Sequence, residues 1–394
     1  MAVGSSPLGA VVMDDAEGFI AGLKISLQQL EDLRVTGRCD HLLFDIIAIA
    51  VLATFCGADE WAEIEDFGRA REDWLKTFLE LPHGIPSDDT FRRVLSRLDR
   101  TQFAAGLFSW LQAIADVHQQ RNIAIDGKTL RRSGRSTTNL KPLHLVTAFA
   151  SQNSLVLGQV ACHEKSNEIT AIPELLKLLN TQKATVTIDA MGCQKEIAAQ
   201  ILQQKGHFVL GLKGNQPTLQ ADLQVLFDEA AERDFAGVST FSTHEQGHGR
   251  EEERIVHAIP IPKDHPQRQV WTDLNTLVAV TSRRVQQGQE HWETRFSISS
   301  HGAKAKPLAE AIRSHWSIEN SQHHILDVAF GEDSRRQSDR DGAANLAAIR
   351  RLVLSVLRQE KSRKAGAKRK RFTCALDLSY LTTVLNTLPE RKPI

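Results

Sequence analysis

Two short apolar runs, each ending in an aspartate, constrain the fold of this chain most. Residues 123–126 are Ile-Ala-Ile-Asp and residues 186–189 are Val-Thr-Ile-Asp, so each run is typical of a buried strand that delivers a carboxylate at its end. Further strand-like and helical runs alternate in the same region, at residues 143–150, 154–161, 169–179, 185–188, 194–204 and 207–212. This alternation predicts an α/β domain with a partly parallel sheet.

Asp126 and Asp189 are expected to lie close together if their strands are neighbours in one sheet. Carboxylates at such short range repel each other unless a cation lies between them, and Mg²⁺ prefers a few carboxylates together with water and phosphate oxygens. The pair therefore indicates a metal-dependent phosphoryl-transfer site. Either aspartate taken singly is more simply explained as a helix cap or a turn residue.

The third carboxylate is expected from residues 314–327, the densest polar helical segment of the chain. On a helix, His315, Glu319, His323 and Asp327 follow one another at four-residue steps and share one face. The apolar stripe of this segment is only partial, which favours a functional role for the polar face. The alternative is a surface helix whose side chains make ordinary i,i+4 pairs.

The remaining chain divides into segments of different character. Residues 1–18 are expected to be a disordered lead-in, and residues 19–118 have the periodicity of an all-α N-terminal domain. Residues 119–358 form the predicted α/β domain, and residues 359–394 a basic C-terminal segment with a terminal helix. An insertion at about residues 215–300 is predicted to contain a helix and three strands, at residues 218–232, 251–258, 276–286 and 290–299.

Charge and cysteine content narrow the protein class. Lysine plus arginine equals aspartate plus glutamate at 48 each, so net charge argues neither for nor against a polyanionic partner. Residues 358–371 carry eight cations and one anion, and we expect them to be solvated and phosphate-binding, or simply a solubilising loop.

The five cysteines have no paired spacing, which argues against disulfide bonds. The longest apolar stretch, residues 42–56, is too short to span a bilayer, so a cytoplasmic protein is expected.

Five short motifs are distributed along the chain. They are Ala-Ile-Asp-Gly-Lys-Thr at 124–129, Thr-Ile-Asp-Ala-Met-Gly-Cys-Gln at 187–194, Leu-Lys-Gly-Asn-Gln at 212–216, His-Gly-Arg-Glu-Glu-Glu-Arg at 248–254 and His-Trp-Ser-Ile-Glu-Asn at 315–320. Together they resemble the insertion-sequence transposases that include the H-repeat-associated proteins. The resemblance covers nearly the whole chain and implies that the helical N-terminal unit is a transposase-associated domain, a candidate for DNA binding.

The resemblance implies a ribonuclease-H-like, retroviral-integrase-like catalytic fold of the DDE type. In that family two aspartates and a glutamate form the active site, with a β-rich insertion between the second aspartate and the glutamate. The matching positions are Asp126, Asp189 and Glu319, which would hold two Mg²⁺ or Mn²⁺ ions.

One departure from the family concerns the DNA contacts near the glutamate. Related transposases often carry a tyrosine, an arginine and a lysine there, where this chain has Ile312, His315 and Leu326. The candidates for DNA contacts come from several segments: Lys128, Lys213, Asn215, Gln216, His248, Arg250, Arg254, His315, Asn320 and His323. Each cation among them could equally be an ordinary solvent-facing residue.

These features predict a Mg²⁺-dependent DNA transposase that cleaves at insertion-sequence ends and joins the freed 3′ hydroxyl to target DNA. The expected partners are double-stranded DNA, as terminal inverted repeats and as target, and a second copy of the chain, in the bacterial nucleoid. Lys128 does not belong to a P-loop, because the required glycine is replaced by Asn122, and neither a nucleotide cofactor nor a membrane is expected. The alternatives are an inactive or domesticated DNA-binding relative and a metal-dependent nuclease that does not join DNA.

Overall fold

The computed structural model describes residues 16–35, 37, 39–117, 122–134, 141–162, 167–247, 250–337 and 339–388. Its strands are β1 (Asn122–Leu130), β2 (Leu143–Ala150), β3 (Leu155–Ala161), β4 (Thr185–Ile188), β5 (His207–Leu212), β6 (Ser239–Gly247), β7 (Arg250–Pro260), β8 (Thr276–Gln286) and β9 (Gln289–Ser299). Its helices are α1 (Glu17–Ser26), α2 (Leu43–Phe55), α3 (Trp61–Ala70), α4 (Glu72–Leu75), α5 (Asp88–Leu95), α6 (Arg100–Val117), α7 (Glu168–Lys177), α8 (Lys195–Gln203), α9 (Pro217–Glu232), α10 (Gln267–Val270), α11 (Ala305–His315), α12 (His324–Phe330), α13 (Arg340–Gln359), α14 (Ala367–Leu376) and α15 (Leu378–Leu385). The predicted α/β class is confirmed.

One mixed sheet of nine strands, in the order β3-β2-β1-β4-β5-β9-β8-β7-β6, forms the centre of the molecule. β4 is parallel to both β1 and β5, and the other neighbouring pairs are antiparallel. Parallel neighbours require crossover connections, and α7 and α8 supply helices for them on either side of β4. The partly parallel sheet is therefore confirmed, and the two strands that carry the aspartates lie side by side.

The sheet differs from the sequence-based expectation in two strands. The apolar run predicts that the first strand ends at Asp126, whereas β1 continues to Leu130 because β2 pairs with it over that whole length. β6 is not predicted at all, because its residues are mostly exposed and carry no apolar alternation. The hairpin of β8 and β9 forms as predicted, with Gln286 opposite Gln289, and β9 pairs with β5, so the inserted strands extend the central sheet.

The helices that precede β1 share a continuous hydrophobic core with the sheet. α2 is buried from Asp45 to Phe55, which accounts for the apolar character of residues 42–56. α6 packs on β3 and α13 and so attaches this helical unit to the α/β part. None of the described helices combines the length and the apolar composition that crossing a bilayer requires.

The expectation that residues 358–371 are solvated is wrong for two of the cations, because Lys370 and Arg371 are buried in α14. The Lys370 ammonium lies 2.8 Å from Glu360, and the Arg371 guanidinium donates to the Thr54 carbonyl at 2.9 Å and to Asp59 at 2.8 Å. Long cationic side chains can be buried when acids and carbonyls compensate their charge, so a dense basic run need not be exposed. The cations that remain exposed are Lys361, Arg363, Lys364, Lys368 and Arg369.

Arg371→Ala is expected to lower the free energy of unfolding by about 2–3 kcal/mol. The substitution leaves Asp59 buried without its main donor, although Arg350, 4.0 Å away, still offsets part of that charge. Urea unfolding followed by circular dichroism measures the change. Arg369→Ala removes an exposed cation of the same helix and serves as the control, with an expected change below about 0.5 kcal/mol. Equal losses in the two variants would contradict a structural role for Arg371.

Candidate active site

Asp126 and Asp189 lie at the same edge of the sheet. β1 and β4 are parallel neighbours whose last paired residues are Ile125 and Ile188, so each aspartate directly follows that pair. β4 ends there, whereas β1 continues beside β2. The Asp126 side chain is 17% exposed, while Asp189 is exposed to solvent. The structure thus places the two predicted carboxylates where β1 and β4 part.

Asp189 caps the short 3-10 turn Ala190–Gly192 that follows β4. Its Oδ1 accepts hydrogen bonds from the backbone amides of Met191 at 3.0 Å and Gly192 at 3.3 Å. Such capping satisfies backbone donors and fixes the direction of the side chain. Because both contacts use one oxygen, the cap by itself does not occupy the second.

The loop after β5 is attached to the Asp189 turn. The Asn215 side chain donates to the Ala190 carbonyl at 2.5 Å, and Gln216 donates to the Cys193 carbonyl at 2.9 Å. Gly211 permits this close approach, because a Cβ at that position would lie 2.9 Å from the Ala190 nitrogen. Asn215 and Gln216, predicted to contact DNA, therefore make structural contacts here.

Glu319 lies in a π-helical turn, Ile318–His323, between α11 and α12, where the sequence predicts a regular α-helix. His315 Nδ1 is 3.1 Å from the Thr187 hydroxyl on β4, and His323 Nδ1 is 3.5 Å from Asp126 Oδ2 on β1. Two residues of the predicted face, His315 and His323, therefore contact β4 and β1, and Glu319 is the exposed residue of that face. A π turn often marks a functional position in a helix.

Lys128 attaches α12 to the sheet. Its ammonium is buried, 2.7 Å from Asp327 and 3.5 Å from Asp333. The sequence indicates Lys128 as a phosphate contact, but in this structure two carboxylates already compensate its charge. The pairing holds the helix that follows Glu319 against the strand that carries Asp126.

Burial and neighbouring acids dominate the electrostatics of the site. Burial raises the pKa of Asp126 to about 7, and the negative charges of Glu168, Asp189 and Glu319 act in the same direction. Burial lowers the pKa of His323 to about 3, so its imidazole is neutral beside Asp126. A cation close to Asp126 would therefore strongly stabilise the ionised form of its carboxyl group.

The carboxylates match a hard divalent cation in donor type, because Mg²⁺ and Mn²⁺ prefer oxygen ligands. The acids whose negative charges act on Asp126, namely Glu168, Asp189 and Glu319, come from three different parts of the fold. Among the described residues, however, no three His, Cys, Asp or Glu side chains are grouped closely enough to hold an ion. The donor chemistry therefore fits such a cation, and the acids act on Asp126 through their charge rather than as an assembled ligand shell.

The other predicted DNA contacts are dispersed. Lys213 and Asn320 are exposed near the site, while Arg254 on β7 lies 2.6 Å from Glu252 and is largely compensated by it. His248 lies outside the described residues, as does the side chain of Arg250.

The inserted strand β9 extends beyond the carboxyl end of β5, where the site lies. Its last pair with β5 joins Phe296 to Leu212, and the β9 residues before Phe296 continue past that point. The inserted strands thus project beside the carboxylates.

Two residues near Asp126 are missing from the sequence-based site. They are Glu168, the first residue of α7, and His144 on β2, whose Nε2 lies 2.7 Å from Glu168 Oε1. Neither belongs to the motifs that indicate the site. The one local signal is Gly127, a glycine inside a strand, which often marks a close approach of another group to the backbone.

Comparison with known proteins gives two family matches. Residues 118–356 match the family described as "Transposase DDE domain", and residues 25–111 match the family described as "DDE_Tnp_1-associated". The chain is 41% identical to "Putative transposase YncI" of Escherichia coli O157:H7, over 92% of this chain and 93% of that protein. It is 36% identical to "H repeat-associated putative transposase YhhI" of Escherichia coli strain K12, over 90% of this chain and 95% of that protein.

A solved structure with some similarity is that of the piggyBac transposase synaptic complex with hairpin DNA. The alignment covers 95% of this chain and 78% of that chain, at 13% identity and a TM-score of 0.39. Agreement at that level is too weak to indicate a shared fold.

Proposed function

The chain belongs to the DDE transposase family, and we propose that it cleaves DNA at the ends of an insertion sequence and joins the freed 3′ hydroxyl to target DNA. The observation that carries this proposal is that Asp126 and Asp189 directly follow the last paired residues of the parallel neighbours β1 and β4, and that the negative charge of Glu319 also acts on Asp126. Their mutual repulsion favours binding of a divalent cation.

We propose Asp126, Asp189 and Glu319 as the catalytic carboxylates, which would hold two Mg²⁺ or Mn²⁺ ions. When bound, such ions activate the attacking hydroxyl and stabilise the leaving 3′ oxygen. The chain itself orients the acids: the 3-10 turn directs Asp189, and the neutral His323 imidazole lies against Asp126. The ion pair of Lys128 with Asp327 keeps the Glu319 segment on the sheet.

The order of the first five strands supports a ribonuclease-H-like arrangement for the catalytic domain, proposed at residues 119–358. β1 is central, β2 and β3 are antiparallel on one side, and β4 and β5 are parallel on the other. We assign residues 19–118 as the associated, DNA-binding domain. The family match at residues 25–111 and the all-helical content of that segment support the assignment.

The proposed partners are double-stranded DNA with terminal inverted repeats, target DNA and a second copy of the chain. Joining requires two element ends to be held together, which is the reason for proposing a homodimer on DNA. Lys213, which follows β5, and Asn320, which follows Glu319, are two of the predicted DNA contacts that are exposed to solvent. Their exposure leaves them free to contact a phosphate backbone.

The test is an assay of cleavage and strand transfer on DNA that carries the element's terminal repeats, in Mg²⁺. Glu319→Gln keeps the shape of the side chain and removes its charge, so we expect both reactions to fall by about 100-fold or more while DNA binding is retained. Glu310→Gln changes an exposed glutamate of α11 in the same way and is the matched control, with unchanged activity expected.

The products separate the alternative functions. Nicked DNA without joined products would indicate a metal-dependent nuclease. Binding without any cleavage by the unmodified chain would indicate an inactive DNA-binding relative. Two observations support testing for an inactive relative. Leu326 stands where related proteins often carry a lysine, and Lys128 is engaged in an ion pair.

A further inference from the structure

Two polar side chains, those of Glu168 and His144, lie close to the backbone of Gly127, the residue after Asp126. A Cβ at this position would lie 2.2 Å from Glu168 Oε1 and 2.3 Å from His144 Nε2. Real Cβ atoms essentially never come within 3.0 Å of a heavy atom in this way. Because Gly127 lies within β1 and its φ is not positive, the absence of a side chain serves close approach rather than a turn.

His144 holds Glu168 in this position. Its Nε2 lies 2.7 Å from Glu168 Oε1, and its Nδ1 lies 2.8 Å from the hydroxyl of Thr129, the residue opposite it in the β1–β2 register. A neutral imidazole that donates from Nε2 and accepts the hydroxyl proton at Nδ1 satisfies both contacts. Glu168 is therefore held against the backbone of the residue next to Asp126, with a side chain only 14% exposed.

The charge of Glu168 acts on Asp126. Glu168 Oε1 lies against the backbone of Gly127, which directly follows Asp126 in β1, so the two negative charges repel each other at short range. A glutamate in the first turn of a helix is also stabilised by the helix dipole, which would explain Glu168 without any role in the site. That explanation requires neither the imidazole of His144 nor the space left by Gly127.

We infer that Glu168 is a fourth carboxylate of the proposed active site, a positioning residue held by His144 that strengthens binding of the divalent cation through its charge on Asp126. The inference rests on the proposed function, since it concerns the same site. Affinity for a hard cation increases with the number of carboxylates around it. Replacing a residue that supports metal ligands typically weakens metal binding by about 10- to 100-fold.

The experiment is calorimetric titration of the full chain with Mn²⁺, in the absence of DNA. Glu168→Gln removes the charge and keeps the side-chain shape, and we expect the dissociation constant for Mn²⁺ to rise about tenfold. Glu174→Gln, an exposed glutamate of the same helix, is the matched control and should stay within about twofold of the unmodified chain. Thermal unfolding of each variant shows whether it is folded.

A second variant separates charge from fold. Glu168→Asp keeps the negative charge, so it should bind Mn²⁺ more tightly than Glu168→Gln does. An equal loss in both variants, or an unchanged affinity in Glu168→Gln, would overturn the inference. If Asp126→Asn abolishes binding and Glu168→Gln does not, the proposed active site stands and this inference alone fails. If the unmodified chain binds no Mn²⁺, both fail.

Discussion

Asp126→Asn is expected to lower the rate of DNA cleavage by about 1000-fold or more. The same substitution should stabilise the metal-free protein at neutral and alkaline pH. Asparagine cannot replace a carboxylate as a ligand of a hard cation. It has nearly the same shape, however, and it removes a charge that is costly to bury. Activity and stability should therefore change in opposite directions.

The pH dependence of this stabilisation follows from the pKa of Asp126, which is raised from 3.8 to about 7 in the folded protein. Between these two values the unfolded chain loses the proton while the folded chain keeps it, so this group lowers stability as the pH rises. Above about pH 7 the full effect is present and amounts to at most about 4 kcal/mol.

Urea unfolding of metal-free protein between about pH 4 and pH 8 measures this effect. The difference in unfolding free energy between Asp126→Asn and the unmodified chain should be small at the acidic end and grow until about pH 7. Asp264→Asn, an exposed aspartate, is the control and should show no such trend. A difference that stays constant across the range would contradict a buried, destabilising carboxyl group.

Glu332→Ala is expected to lower the free energy of unfolding by about 3–5 kcal/mol. Glu332 and Arg351 form an ion pair in which neither side chain is exposed, with Arg351 Nη1 2.7 Å from Glu332 Oε1. Removing the glutamate leaves a fully buried guanidinium without its counter-charge. Because Glu332 follows α12 and Arg351 lies in α13, the loss should also loosen the segment that carries Glu319 and reduce cleavage.

Thermal and urea unfolding test this prediction against an ion pair at the surface. Glu72 lies 2.7 Å from Lys76 on the surface, and Glu72→Ala should cost less than about 1 kcal/mol. The double change Glu332→Leu with Arg351→Met removes both charges and should recover much of the lost stability. A double variant no more stable than Glu332→Ala would mean that packing, not the uncompensated charge, causes the loss.

The features that depend on local pattern could be predicted from the amino-acid sequence. Strand-like apolar runs predicted β2, β4 and β5 with the bounds that the structure has, because a buried strand needs consecutive apolar residues. Four-residue spacing predicted that His315 and His323 share one helix face, and the structure places His315 beside β4 and His323 beside β1.

Which distant residues share an environment could be learned only from the folded chain. Glu168 joins Asp126 because β2 and α7 bring His144 and Glu168 beside Gly127. β1 extends past Asp126 because β2 offers it backbone partners, which no run within β1 can indicate. A periodic pattern records which side of an element is buried, but pairing and charge compensation depend on segments far apart in the chain, and these are set by packing.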